Sequence, residues 1–148
     1  MKNIIAFILL FFAANAGAQI VTPVKWTVTT TKISDTEYEL TATASIQKGW
    51  HLYSQNVAPN GPEPTKFTFE SNKNYLKKGI TQEDKGRIVN DPIFEMQIKF
   101  FENKANFRQR VKLKTKAPFK IKTTVEFMAC DDTRCLPSTE QELIFNIN

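Results

Sequence analysis

The chain has 148 residues, a formal net charge of +5 and only two cysteines. This length fits a single domain with a real hydrophobic core, so a disulfide is not needed merely to make the chain fold. The lysines between residues 112 and 122 alternate with apolar residues, which indicates the solvent-exposed face of a sheet rather than a nucleic-acid-binding patch. We therefore expect no nucleic-acid partner.

The N-terminus has the pattern of a secretory signal peptide. Lys2 precedes an apolar run over residues 4–14, and the small residues Ala16-Gly17-Ala18 form a cleavage motif. We predict a signal peptide over residues 1–18 and a mature domain over residues 19–148. The alternative is an uncleaved anchor, which the short apolar run disfavours because a membrane span needs about 20 residues.

The rest of the chain has the alternating pattern of β-strands, with Val, Thr, Tyr and Trp enriched. Residues 54–64 form a Pro/Gly/Asn-rich loop, and residues 90–92 indicate a turn. Residues 93–102 and 107–115 are predicted to form a hairpin joined by residues 103–106, whereas residues 75–89 have only weak strand character. Clear strand patterns cover residues 24–29, 36–44, 48–53, 66–70 and 119–128. A last predicted strand begins at Ser138.

Many short strands separated by turns, with no convincing amphipathic helix, predict an all-β protein. The expected fold is an immunoglobulin-like antiparallel β-sandwich. A lipocalin-type barrel is the competing fold, and the long crossover at residues 54–64 disfavours its up-and-down meander. The two cysteines are close in sequence and so do not follow the immunoglobulin pattern of a disulfide between the two sheets.

Cys130 and Cys135 flank the polar turn residues 131–134 and follow a strand-like run. Such a hairpin can bring the two cysteines to disulfide distance. In an exported protein this pair is either a structural disulfide or a redox-active one. A loop this short stabilises the fold weakly as a staple, well below the ~3 kcal/mol assigned to a 15-residue loop. Metal binding is the third reading, and no metal is expected because two cysteines and the single histidine, His51, provide too few ligands.

The neighbouring charges favour one cysteine as the attacking nucleophile. Cations favour the reactive thiolate and anions disfavour it. Asp131 and Asp132 follow Cys130, whereas Arg134 precedes Cys135. We therefore predict that Cys135 attacks the partner and that Cys130 resolves the mixed disulfide, unless Cys135 is buried. His51 is interpreted as a packing residue of a short strand rather than as a catalytic base.

Four segments resemble the N-terminal periplasmic domain of the DsbD family of thiol:disulfide interchange proteins. Phe-Met-Ala-Cys-Asp-Asp-Thr-Arg-Cys-Leu-Pro at residues 127–137 is similar to the family's cysteine hairpin. Gly-Trp-His-Leu-Tyr-Ser at residues 49–54 resembles its aromatic strand, which residues 61–67 follow as in Bacteroidetes-like versions. Asn-Asp-Pro-Ile-Phe-Glu at residues 90–95 falls where the family carries a cap loop over its cysteines.

The resemblance implies an immunoglobulin-like domain that passes electrons by thiol–disulfide exchange, as a component of a protein-disulfide reductase. In the family, a membrane-embedded thiol reductase is the electron donor. Periplasmic thioredoxin-fold proteins that serve disulfide isomerisation and cytochrome c maturation are the acceptors. Because the sequence contains no multi-span membrane region and no thioredoxin-like Cys-x-x-Cys domain, we expect the donor to be a separate protein.

The resemblance also implies roles for single residues. The second cysteine of the hairpin, Cys135, makes the mixed disulfide, and an aromatic residue of the cap loop shields the pair. Phe94 is the better match for that residue and Ile93 the poorer one, while Asp91 takes the place of an acidic cap residue. We expect a periplasmic monomer without a cofactor. The rival interpretation is a non-catalytic secreted β-sandwich binding module in which the same pair is a static disulfide.

Overall fold

The computed structural model describes residues 21–92 and 94–148, and in these residues every regular element is a β-strand. The predicted signal peptide and the start of the predicted mature domain, at residues 1–20, lie outside the described residues. The strands are β1 (Val24–Lys32), β2 (Glu37–Ile46), β3 (His51–Tyr53), β4 (Lys66–Phe69), β5 (Tyr75–Glu83), β6 (Arg87–Asp91), β7 (Met96–Phe101), β8 (Lys104–Leu113), β9 (Phe119–Phe127), β10 (Ala129–Cys130) and β11 (Thr139–Ile147).

The strands form three antiparallel sheets. One has the order β1-β2-β8-β5, the second β10-β3-β7-β6, and the third β11-β9-β4. Only Met128 separates β9 from β10, so one stretch of chain passes from the third sheet into the second and joins them. The fold is the predicted immunoglobulin-like β-sandwich.

The main core lies between the β1-β2-β8-β5 sheet and the other two sheets. Alternate residues of β2, β9 and β11 are buried, as the sequence pattern predicts for strands with one solvent-exposed face. Trp26 is at the centre of an aromatic group, with its ring centroid 5.7 Å from that of Phe67 and 5.6 Å from those of Phe107 and Phe127. Since Phe127 is the last residue of β9, this packing reaches the strand end that leads into the cysteine hairpin.

A second, smaller core surrounds Cys130. We call it the cysteine cluster: the buried residues Tyr53, Ile98, Phe100 and Cys130, with the part-buried Val57, Val89, Phe94, Met96 and Met128 packed against them. The sequence neighbours Leu52, Phe101 and Ala129 belong to the main core instead. Because successive side chains of a strand point to opposite faces, the cysteine cluster lies on the outer face of the β10-β3-β7-β6 sheet.

Two predictions about the strands were wrong. The predicted hairpin of residues 93–102 and 107–115 does not form, because β7 pairs with β3 and β6, whereas β8 pairs with β2 and β5. The short connection at Asn103, which has a φ of 63°, carries the chain from one sheet to another instead of reversing it within one. The turn predicted at residues 90–92 begins only at Pro92. Asn90 and Asp91 belong to β6 and pair with residues of β7.

The weakly patterned residues 75–89 contain two edge strands, β5 and the start of β6. Their pattern is weak because most of their residues are exposed, including Leu76, Ile80 and Ile88. The lysines between residues 112 and 122 are exposed, as expected for a solvent-facing sheet surface. In the part of the chain that the structure describes, no helix is long and apolar enough to span a membrane.

Candidate functional site

The cysteine hairpin forms as the sequence predicts. Cys130 and Cys135 pair as an antiparallel bridge and are joined by a disulfide with an S–S distance of 2.00 Å. Inside the hairpin the Asp131 N–H donates to the Arg134 carbonyl at 2.9 Å, and outside it the Leu136 N–H donates to the Ala129 carbonyl at 2.9 Å. The backbone therefore holds the two sulfurs together at the end of the sheet.

The two cysteines have different environments. Cys130 is 2% exposed and belongs to the cysteine cluster, whereas Cys135 lies on the exposed side of the hairpin. The prediction that Cys135 attacks requires that Cys135 is not buried. The structure meets this condition. A protein that approaches from solvent reaches Cys135 before Cys130.

A turn after β6 covers part of the cysteine cluster. The Phe94 N–H donates to Asp91 Oδ1 at 3.1 Å, and the Phe94 side chain packs against the cluster that contains Cys130. The structure thus brings Phe94 to the cysteine cluster and bonds it to Asp91, while a shielding role of these residues stays a prediction. Ile93, the other predicted shielding residue, lies outside the described residues.

The loop at residues 54–64 supplies a second cover that the sequence analysis does not predict. Val57 packs against the cysteine cluster. Gly61 lies close to it, because a Cβ at position 61 would meet Val57 Cγ1 at 2.6 Å and Met96 Sδ at 3.2 Å. A side chain at position 61 would block this approach, so the glycine allows the loop to pack against the start of β7.

Glu83, whose side chain is 7% exposed, anchors the start of this loop. Glu83 Oε1 accepts hydrogen bonds from the Ser54 hydroxyl at 2.6 Å and from Lys99 Nζ at 2.9 Å, and Oε2 accepts the Gln55 N–H at 2.8 Å. Burial raises the pKa of Glu83, but the hydrogen bonds from Lys99, Ser54 and Gln55 outweigh it and leave the pKa below its ordinary value. Glu83 is thus ionised at neutral pH.

The charged residues of the hairpin are occupied mainly with one another. Asp131 Oδ1 accepts the N–H of Thr133 at 2.9 Å, its hydroxyl at 2.8 Å and the N–H of Arg134 at 2.8 Å. These bonds, with the Thr133 N–H first, lower the pKa of Asp131. Arg134 Nε lies 3.5 Å from Asp131 Oδ2, and the guanidinium lies over the Trp50 ring at 5.7 Å. Asp132 is exposed and lines the groove described next.

A groove of about 480 Å³ lies beside the hairpin, along β3, β6 and β7. His51, which the sequence analysis interprets as a packing residue, is the register partner of Cys130 and lies on the wall of this groove. The position of His51 opposite Cys130 follows from the strand register, which the sequence does not show. The ionisable side chains that line the groove include Asp91, Glu102, Asp131, Asp132, Arg87 and His51.

Tyr53 is the largest polar side chain of the cysteine cluster. Burial, and to a smaller extent the charge of Asp91, raises its pKa to about 12. Its hydroxyl therefore stays protonated at physiological pH. Across residues 21–92 and 94–148, no three His, Cys, Asp or Glu side chains come together as potential ligands of a metal ion.

Comparison with protein families gives a match over nearly the whole chain. The profile of the N-terminal region of thiol:disulfide interchange protein DsbD matches residues 18–146. The chain belongs to this family. The match contains the cysteine hairpin, the cap turn and the loop at residues 54–64, so all parts of the site lie on the family's domain. A comparison with curated protein sequences found no match.

Solved structures give the same fold at low sequence identity. The reduced DsbD N-terminal domain of Neisseria meningitidis is 14% identical, with a TM-score of 0.58 over 91% of this chain and 95% of that one. The same domain in complex with the PilB N-terminal domain is 12% identical, with a TM-score of 0.56 over 89% and 91%. The N-terminal periplasmic domain of ScsB from Proteus mirabilis is 12% identical, with a TM-score of 0.53. Here the likeness covers 84% of this chain but 48% of that one.

Proposed function

We propose that this protein carries reducing equivalents in the periplasm by thiol–disulfide exchange through Cys130 and Cys135. The observation that carries the proposal is the asymmetry of the disulfide, with Cys135 on the exposed side and Cys130 buried in the cysteine cluster. A structural disulfide does not require one buried and one exposed sulfur. An exchange reaction does, because one sulfur meets the partner and the other must wait for the mixed disulfide.

In the reducing direction, the Cys135 thiolate attacks one sulfur of the partner's disulfide. A bond forms between Cys135 and that sulfur, the partner's S–S bond breaks, and the partner's other sulfur leaves as a thiolate. Cys130 then attacks Cys135, which restores the intramolecular disulfide and releases the partner with both cysteines reduced. The family's membrane-embedded thiol reductase would return the two electrons to Cys130 and Cys135.

Arg134 supports this order less strongly than its position in the sequence suggests. Its guanidinium lies 3.5 Å from an oxygen of Asp131, so much of its charge is balanced inside the loop. Exposure of Cys135 is therefore the stronger argument for its role as the attacking cysteine. Asp131 organises the loop through its hydrogen bonds, and in the proposal Asp131 and Asp132 disfavour a thiolate at Cys130.

The proposed acceptors are periplasmic thioredoxin-fold proteins that serve disulfide isomerisation and cytochrome c maturation. Direct docking of such a domain on another protein is supported by the solved complex of a DsbD N-terminal domain with the PilB N-terminal domain. The periplasmic location is supported by the periplasmic ScsB domain of the same fold and by the predicted signal peptide at residues 1–18. We propose that the mature domain, residues 19–148, acts as a monomer without a cofactor.

The reduction potential of the Cys130–Cys135 pair tests this proposal. We expect a value above about −250 mV when the mature domain is equilibrated with a glutathione or dithiothreitol redox series, because glutaredoxins and protein disulfide isomerase lie in that range. A value below about −300 mV is typical of structural disulfides and would support the rival binding module instead.

Trapping of partners tests the assigned order of the cysteines. The Cys130→Ser variant should accumulate mixed disulfides through Cys135 with a thioredoxin-fold substrate, since it lacks the resolving thiol. The Cys135→Ser variant is the matched control and should trap little, because Cys130 is buried. Equal trapping by both variants would contradict the assignment without affecting the measured potential.

A further inference from the structure

His51 lies beside the buried cysteine. It is the register partner of Cys130 in the β3–β10 pair, and Cys135 bridges to the other side of Cys130. Residues directly opposite each other on antiparallel strands point to the same face, with Cβ atoms about 4.5–5.5 Å apart. The His51 ring also packs 4.5 Å from that of Phe100, a member of the cysteine cluster. His51, Cys130 and Cys135 therefore form a row on one face of the sheet.

The imidazole is held by a charged pair. His51 Nε2 lies 3.4 Å from Glu102 Oε1, and Arg87 Nη1 donates to Glu102 Oε2 at 2.6 Å. The hydrogen bond from Arg87, with a contribution from His51, lowers the pKa of Glu102, so this carboxylate is charged at neutral pH. A carboxylate at Nε2 favours the tautomer that carries its hydrogen there, which leaves Nδ1 as a proton acceptor.

The resolving step needs a proton acceptor beside Cys130. After Cys135 has formed a mixed disulfide, Cys130 must lose its proton before its sulfur can attack. Cys130 is 2% exposed among apolar side chains, surroundings that disfavour a thiolate and restrict access of water or hydroxide. Among the ionisable side chains that line the groove, His51 is the register partner of Cys130.

We propose that His51 accepts the proton of Cys130 in the resolving step, with Glu102 orienting the imidazole. The proposal rests on the proposed exchange function and deepens it. The proton passes from Cys130 Sγ to the imidazole, and the Cys130 sulfur attacks Cys135 Sγ. The new Cys130–Cys135 bond forms as the Cys135–partner bond breaks, and the partner thiolate leaves with that electron pair. The imidazolium then returns its proton to the departing thiolate or to solvent.

The test separates the two sulfur steps with an aromatic disulfide, dithiobis(nitrobenzoate), mixed at one equivalent with the reduced protein. Attack by Cys135 releases the first coloured thiolate, and resolution by Cys130 releases the second. Both His51→Gln and His51→Phe remove the proton acceptor. His51→Phe, unlike His51→Gln, keeps an aromatic ring against Phe100. We expect both variants to slow the second phase about 100-fold at neutral pH, the size typical of general-base catalysis. The first phase should not change.

The pH profile gives a readout that a packing role would not move. In the wild-type protein the rate of the second phase should depend only weakly on pH in the neutral range, because the imidazole takes the proton of Cys130. In both variants it should rise about tenfold per pH unit, because it then follows the thiolate fraction of Cys130 alone. The charged groups around the imidazole are Glu102, Arg87, Asp91, Asp131 and Asp132, and both variants retain all of them, so a changed profile reports on position 51.

Several results would overturn the inference. A wild-type rate and pH profile in His51→Gln would show that the histidine takes no proton, and recovery of the rate in His51→Phe would show that it only packs. Equal slowing of both phases would mean a general disturbance of the hairpin. The exchange function would survive these three results. A wild-type protein without any second phase would overturn the exchange function and this inference together.

Discussion

The backbone N–H of Phe94 donates to the side chain of Asp91 at 3.1 Å, and this bond closes the turn that places Phe94 against the cysteine cluster. Asp91 is the last residue of β6 and is fixed there by pairing with Met96. The end of β6 thus positions an aromatic side chain on the cluster that contains the buried Cys130. The strength of this single bond should influence how readily the disulfide reacts.

Replacement of Phe94 by alanine should uncover the disulfide. We expect Phe94→Ala to be reduced by dithiothreitol several-fold faster than the wild-type protein and to lose about 1–2 kcal/mol of unfolding free energy, since the side chain is part-buried. Phe69→Ala is the matched control, because Phe69 is also part-buried but packs on the main core. Equal acceleration in both variants would indicate a general loss of stability rather than a cap.

Two substitutions of Asp91 separate its hydrogen bond from its charge. Asp91→Asn keeps an oxygen for the Phe94 N–H but removes the charge that helps to raise the pKa of Tyr53 to about 12. We expect its Tyr53 to titrate at lower pH while the disulfide is reduced at the wild-type rate. Asp91→Ala should lower the pKa of Tyr53 and also speed reduction. Ultraviolet titration of tyrosinate and reduction kinetics measure the two effects, and fast reduction of Asp91→Asn would argue against the hydrogen bond.

The parts of the fold that follow local patterns were predictable from the sequence. Strands β2, β9 and β11 alternate apolar and polar residues because one face is buried, and the turn residues 131–134 predict the hairpin that joins the cysteines. One of the two wrong predictions was the pairing of β7 with β8. A short connection with Asn103 between two strand-like runs has the same local pattern whether the chain reverses within a sheet or crosses between sheets.

The parts of the site that depend on distant contacts were not predictable. The proposed role of His51 depends on its register with Cys130, which lies far away in the sequence. Val57 and Glu83 have ordinary neighbours in the chain, and only the folded loop brings Val57 to the cysteine cluster and Glu83 to Ser54. Periodicity indicates which face of a strand is buried, but it does not show which distant residue lies opposite.

Removal of the disulfide should have little effect on the fold. The chain-entropy model assigns only about 2 kcal/mol to so short a loop, and Cys130 lies in a hairpin that backbone hydrogen bonds also hold. We expect the Cys130→Ser/Cys135→Ser variant to keep the β-sheet circular dichroism spectrum and cooperative unfolding of the wild-type protein. Its exchange with thioredoxin-fold substrates should be abolished. Loss of cooperative unfolding would instead identify the pair as a structural staple.

Glu83 should make stability depend on pH through the loop that covers the cluster. Its folded pKa lies below the ordinary value of 4.5. Stability from the ionised carboxylate is therefore fully present above that value and is lost as the pH falls through the folded pKa. We expect Glu83→Gln to lose about 2 kcal/mol of unfolding free energy at pH 7, because the Glu83 bond to Lys99 joins two charged groups and becomes one to a neutral amide.

Denaturant unfolding between pH 7 and the acid range measures this effect. Glu83→Gln should show a flatter fall of stability with acid than the wild-type protein, since the group that binds the proton is gone. The control is Glu142→Gln, whose exposed carboxylate lies 3.8 Å from Lys122 and should change stability by less than about 1 kcal/mol. Because Glu83 also anchors the loop that carries Val57, Glu83→Gln should speed reduction of the disulfide. A stability loss without faster reduction would show that this loop does not cover the cysteines.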